Sequence, residues 1–142
     1  MKKYDYTQIP PSWQYCFHAS CPMHDTCLRY QTGLHLPDDH LWGQAVFPPA
    51  MKNGHCDFYR KDEKVTLATG FVTDDEVQNK MFISMRLVLS EFLGGNGGYY
   101  LYRNGKRWLS PAQQERIRQL FRKAGYQGEV HFEKTTTDYY WL

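Results

Sequence analysis

Three cysteines crowd into twelve residues as Cys16-x4-Cys21-x5-Cys27, and the fourth and last, Cys56, follows after 28 more residues. Little else in that part of the chain promises to hold it together. Residues 1–65 carry six of the seven prolines and five of the six histidines, with no sustained helical or strand period. A stretch this irregular buries apolar surface poorly and needs a cross-link or a metal to stay ordered.

Thiolates suit that task. Soft metals favour soft, charged sulfur donors, and four of them meet the tetrahedral demand of zinc or ligate an iron–sulfur cluster. The chain lacks the Cys-x2-Cys knuckles of most structural zinc sites, which keeps the cluster open as the alternative to zinc. Buried structural thiols, or disulfides formed on oxidation, are the plainer reading. Pro22 stiffens the loop after Cys21 by fixing its φ angle, and Gly54 supplies turn freedom ahead of Cys56. His18, His24 and His55 lie close enough in sequence to replace a ligand, but each reads better as a hydrogen-bonding neighbour.

Catalysis is not expected here. His55-Cys56 sets a base beside a nucleophile in sequence, which is not the facing geometry that activation requires. A catalytic metal keeps an open position, whereas Cys16, Cys21, Cys27 and Cys56 fill all four.

The start of the chain is polar and proline-rich behind Lys2-Lys3, with no apolar core for a signal peptide, and no run of 18 apolar residues occurs anywhere. A cytoplasmic protein without a membrane span is expected. In such a reducing compartment clustered cysteines serve as ligands more often than as disulfides.

Residues 66–142 carry clearer periodicities. Thr73 and Glu76 fit a capping box, and Val77, Met81, Met85, Val88 and Phe92, widened by Phe82 and Leu89, predict one helix of about five turns. Gly94-Gly95-Asn96-Gly97-Gly98 stops it and reads as a flexible link. Tyr99–Tyr102 and Lys106–Leu109 flank Asn104-Gly105, a strong hairpin signal. Ser110, Pro111 and Gln113 open a second helix with Ile117, Leu120, Phe121 and Ala124 on its apolar face and Gly125 at its end. A strand near Glu129–Lys134 follows, then a short strand or packed tail at Tyr139–Trp141. The expected fold is α+β: a cysteine-rich, metal-stapled segment, 1–65, packed as one compact unit with a helix–hairpin–helix–strand segment, 66–142, whose sheet is antiparallel.

The overall charge of +2 implies no partner, but it is unevenly spread. Between Tyr99 and Ala124 seven basic residues face one acid, Glu115, with Tyr99, Tyr100, Tyr102 and Trp108 among them. Cations that meet phosphates beside aromatic faces that stack on bases would suit nucleic acid, with Arg103, Lys106, Arg107, Arg116 and Arg122 as the contacts. A solvated helix face and a sheet's core side explain the same residues without any partner.

The motifs Tyr15-Cys16-x4-Cys21-Pro22-x3-Thr26-Cys27-Leu28-Arg29, Cys56-x-Phe58, Tyr99-Tyr100 with Arg103-Asn104-Gly105, Leu109-Ser110-Pro111-x-Gln113-Gln114 and the Tyr140-Trp141 ending occur together. In this combination the chain resembles an uncharacterised family of small proteins, a domain of unknown function, from anaerobic gut bacteria. The resemblance spans nearly the whole length; it implies no activity and carries over no catalytic residue. The expected function is a non-enzymatic binding or regulatory module, with nucleic acid or another protein as partner. The alternatives are a redox-responsive iron–sulfur protein and, third, a cysteine-dependent enzyme.

Overall fold

A computed structural model describes residues 3–142. The chain divides into two units, one of Met1–Lys64 with Tyr139–Leu142 and one of Val65–Asp138.

The first unit is gathered by aromatic side chains. Tyr4, Trp13, Tyr15, Leu28 and Tyr139 are buried together, with Tyr6, Ile9, Leu36 and Trp141 against them. The last residues thus form a packed tail: Trp141 meets Trp13 edge to face at 5.1 Å, and Tyr139 lies 5.3 Å from Tyr4. Strand β1, Gln14–Cys16, pairs in parallel with β2, Gln44–Val46. Helix α1, Leu28–Leu34, lies between them in sequence and buries Leu28, Arg29, Thr32 and Gly33. Thr32 can lie inside because its hydroxyl donates to the Leu28 carbonyl at 2.7 Å and accepts from the Trp13 indole at 3.2 Å. Gly33 faces the Cys16 carbonyl so closely that a Cβ would sit 2.6 Å from it. Strands β3, Met51–Lys52, and β4, His55–Cys56, make a hairpin around Asn53-Gly54, whose φ values of 52° and 75° are those of a type I′ turn.

In the second unit β5, Val65–Thr69, pairs antiparallel with β6, Lys134–Asp138. Helices α2, Glu76–Ser84, α3, Arg86–Phe92, α4, Gly95–Arg103, and α5, Pro111–Lys123, lie between those strands in sequence. The core joins Phe71, Phe82, Leu89, Leu93, Tyr99, Tyr102, Leu109, Ile117, Phe121 and Val130. Helices beside small sheets make this an α+β protein, as expected, with β3–β4 and β5–β6 antiparallel and β1–β2 parallel.

Several local expectations are corrected. The five-turn helix is two helices, parted at Met85. Ser84 there bonds its hydroxyl to the Met81 carbonyl at 3.1 Å, which the Met85 N–H also reaches at 2.9 Å. Asp75, not Thr73, is the cap, accepting from the Gln78 amide. The buried side also differs from the apolar stripe: Gln78, Phe82 and Leu89 are inside while Val77 and Val88 are exposed. Gln78 can be buried because its amide group accepts from the His131 N–H at 2.7 Å and donates to the His131 carbonyl at 2.6 Å. A side chain here replaces a strand partner.

The hairpin around Asn104-Gly105 is not formed. Tyr99 and Tyr102, three residues apart, face the core on one side of α4, which is helical spacing. Gly94, at φ 85°, starts this helix, so the glycine-rich run is its first turn rather than a link. Asn104 and Gly105 close it, with Gly105 at φ 74° in the left-handed conformation that ends helices. The final strand is Lys134–Asp138, not Glu129–Lys134, because Val130 and Phe132 pack into the core and the β-branched run Thr135–Thr137 makes the ladder. Helix α5 is as expected: Ser110 and Gln113 complete the capping box and Pro111 opens the first turn.

Candidate metal centre

Each cysteine is delivered by a different piece of local structure. Cys16 ends β1, and Cys56 ends the β3–β4 hairpin opposite Met51. Cys27 is the residue ahead of α1, in extended conformation. Cys21 sits in a turn where its N–H bonds the His18 carbonyl at 3.1 Å and its own carbonyl accepts from His24 at 3.1 Å. The segment carrying Cys56 is stitched to the segment carrying Cys27. Leu28 donates to the Arg60 carbonyl at 2.6 Å and Asp62 to the Thr26 carbonyl at 2.8 Å. Gly33, lacking a Cβ, lets α1 lie on the Cys16 carbonyl.

The four cysteines all line one small cavity of about 30 Å³, which Met23, His24, Arg29, Tyr30, Met51 and Phe58 help to line. All four cysteines are free; Cys27 is buried and the others half-buried. Burial pushes the Cys16 thiol above the ordinary range, and the neighbouring Cys27, Cys21 and Cys56 push it further, while a backbone bond at His18 draws it down. The Cys16 sulfur therefore feels the other three. Among the described residues, no group of three or more His, Cys, Asp or Glu side chains is drawn tightly enough to hold a metal ion as it stands.

The histidines lie at differing distances from this cavity. His24 lines it, with Nδ1 2.7 Å from the Cys21 carbonyl and Nε2 3.0 Å from Asp25. His55 is exposed and holds Asp57 at 2.8 Å, pointing its chemistry away from Cys56. No base faces a cysteine through that pair.

The residue that cysteine spacing did not reveal is Arg29. It is 5 % exposed, donates to the Phe58 carbonyl at 2.7 Å and to the Gln14 carbonyl at 3.1 Å, and stacks its guanidinium 4.1 Å from the Trp13 ring. Burial lowers its pKa to about 10, helped by the nearby Arg60, and Cys27, Cys56 and Cys16 oppose that shift. Arg60 is likewise lowered by burial, lies 4.4 Å from the Tyr140 ring and is drawn back upward by Tyr140 and Cys27. An arginine two residues behind a cysteine was visible in the sequence; that its charge is buried was not.

The basic residues of the second unit are dispersed among local partners. Arg103 bonds Asn104 at 3.0 Å, Arg107 lies 5.7 Å from the Tyr102 ring, and Arg122 pairs with Glu115 at 3.0 Å. Lys106 and Arg116 are exposed. Tyr99 and Tyr102 are buried in the core and have no face to offer a base.

Among the described residues, no helix is long and apolar enough to cross a membrane. No curated protein and no solved structure matches the chain. The model of a family of unknown function, DUF6078, matches residues 1–141, nearly the full length over which the sequence motifs recur, and the chain belongs to that family.

Proposed function

We propose that Cys16, Cys21, Cys27 and Cys56 bind one zinc ion whose role is to supply folding free energy to the N-terminal unit of a cytoplasmic, non-enzymatic binding or regulatory module. The observation that carries this reading is the meeting of four cysteines, from four separate local structures, at one cavity. Each thiol can take up any of three staggered χ1 positions, and zinc binding requires a set of them that closes the ring onto the ion. A unit with few regular elements gains order from the ion, and its binding energy becomes folding energy. Four thiolates fill the tetrahedral shell of one zinc ion, and an iron–sulfur cluster on the same four is the alternative.

Elemental analysis of untagged, anaerobically purified protein is the test. About one zinc per chain supports the reading, and Cys56→Ser should abolish its retention. Brown protein carrying iron and sulfide would move the function to the redox-responsive alternative. Protein with neither metal would end both.

For a partner, nucleic acid remains the choice through Arg103, Lys106, Arg107, Arg116 and Arg122 by phosphate contacts, with Tyr100 as the exposed aromatic of the segment. Binding to single-stranded DNA should then fall steeply with salt and drop in Lys106→Glu with Arg116→Glu, the two exposed cations. Binding that is absent or independent of salt excludes it.

A further inference from the structure

Strand β2 is the exposed member of a sheet only two strands wide. Its partner β1 is also engaged by α1: the Gln14 carbonyl accepts from the Arg29 guanidinium at 3.1 Å, and Gly33 lies on the Cys16 carbonyl. Among the described residues no third strand joins β2. Gln44 and Ala45 are exposed, and the large apolar side chains that flank the strand, Trp42 and Phe47, are 88 % and 74 % exposed. Two-stranded sheets are marginal in water, and an unprotected edge is a template for another strand. This edge lacks the usual protection. Residues 41–51 carry no charge, and Pro48 and Pro49 stand past the strand rather than in it. Phe47 keeps extended backbone, at φ −92° and ψ 153°, so the edge runs one residue beyond β2.

We infer that this edge pairs antiparallel with the same edge of a second copy of the chain, about a two-fold axis at Ala45. The backbone groups of a strand point alternately to its two sides, so outward residues meet outward residues only when the axis passes through a residue. An axis at Ala45 sets Ala45 opposite itself, Gln44 opposite Val46, and Gly43 opposite Phe47. Each Phe47 ring then covers a glycine, the smallest cross-strand neighbour it could have. In a symmetric pair a charged residue near the axis meets its own copy, and like charges opposite each other are destabilising. This segment has none to meet. A charged partner, by contrast, would find no complement on it. Trp42 and Phe47 of two copies, at about 150–250 Å² each when buried, supply most of the roughly 1,000 Å² that a specific interface needs.

Sedimentation equilibrium on the full chain, from micromolar to millimolar protein, tests this with wild type, Ala45→Glu, Ala45→Lys and an equimolar mixture of the two variants. Wild type should pass from monomer to dimer as concentration rises, and its tryptophan fluorescence should move to shorter wavelength as Trp42 is covered. Each variant alone should dimerise at least about tenfold more weakly, because like charges then sit opposite each other, and the mixture should recover a mixed dimer. Should the Ala45 variants not fold, Gln44→Glu and Gln44→Lys, diagonal neighbours across the same axis, carry the same comparison. Wild type that stays monomeric throughout overturns the inference, including the case in which it binds a neutral extended peptide instead. A dimer that every variant leaves intact lies on another surface and overturns it too. Loss in both variants without recovery in the mixture does the same.

Discussion

Gln78 shows how one polar side chain can organise a core. Its amide pairs with both backbone groups of His131 and holds the segment leading to β6 in place. Truncation would leave a buried donor and acceptor without partners, so Gln78→Ala should lower stability by about 2–3 kcal/mol in urea denaturation. Asp75 works at the surface end of the same helix. The Gln78 N–H first, then the Tyr126 hydroxyl, holds its carboxyl below the usual 3.8. A carboxyl whose pKa is lower folded than unfolded stabilises the fold above its unfolded value, and that contribution disappears as pH falls through the folded one. Denaturation between pH 5 and about 2 should therefore show a steeper acid loss in wild type than in Asp75→Asn, which cannot titrate.

At the scale of elements, the same dipeptide has two fates. Asn53-Gly54 takes positive φ at both residues and turns a hairpin, whereas Asn104 stays at φ −90° and Gly105 alone crosses over to end a helix. Local sequence allows both, because Asn and Gly are the residues that tolerate the left-handed region. Burial decides between them. Tyr99 and Tyr102 fill the core only from a helix, and the first turn of that helix exists because Gly98 carries no Cβ; one there would lie 1.7 Å from the Leu93 carbonyl. Gly33 has the same meaning beside the cysteines. Gly33→Ala should push α1 from Cys16 and weaken metal retention, while Gly97→Ala, with open space around its Cβ and no left-handed φ, should leave retention unchanged. A capping box, by contrast, is local in cause and effect. Ser110→Ala should cost about 1 kcal/mol, seen as a lower denaturation midpoint.

For the whole molecule, two cores mean two kinds of vulnerability. The Tyr4–Trp13–Tyr15 core belongs to the unit with the cysteines, and the Phe82–Phe121 core to the unit without them. Treatment with a strong chelator should abolish the near-ultraviolet dichroism of the first unit's tryptophans and preserve most of the helical signal of α2–α5. Loss of both together, or of neither, would contradict a metal that acts only on the first unit. Alkali should act on the same unit. Burial pushes Tyr6 up to about 12 and holds Tyr4 higher still, with Asp62 adding to the latter. A folded pKa raised above its unfolded value stabilises the protein below that value, so stability should fall as pH climbs from 10 toward 12. Tyr6→Phe should flatten part of that fall, as read by tyrosinate absorbance and denaturation together.

Signals that act within a few residues were complete in the sequence. The capping box of α5 and its Pro111 were readable because a cap needs only its own first turn. The helical nature of 76–92 was legible for the same reason, although which side turned inward was not. The cysteine spacing likewise raised a shared site before any fold was known. Only the tertiary structure decided that Cys56 lines the same cavity as the other three, that Arg29 is buried at its wall, and that Tyr99–Tyr102 coil rather than extend. Those outcomes depend on contacts between residues far apart along the chain, whose energies no local pattern contains.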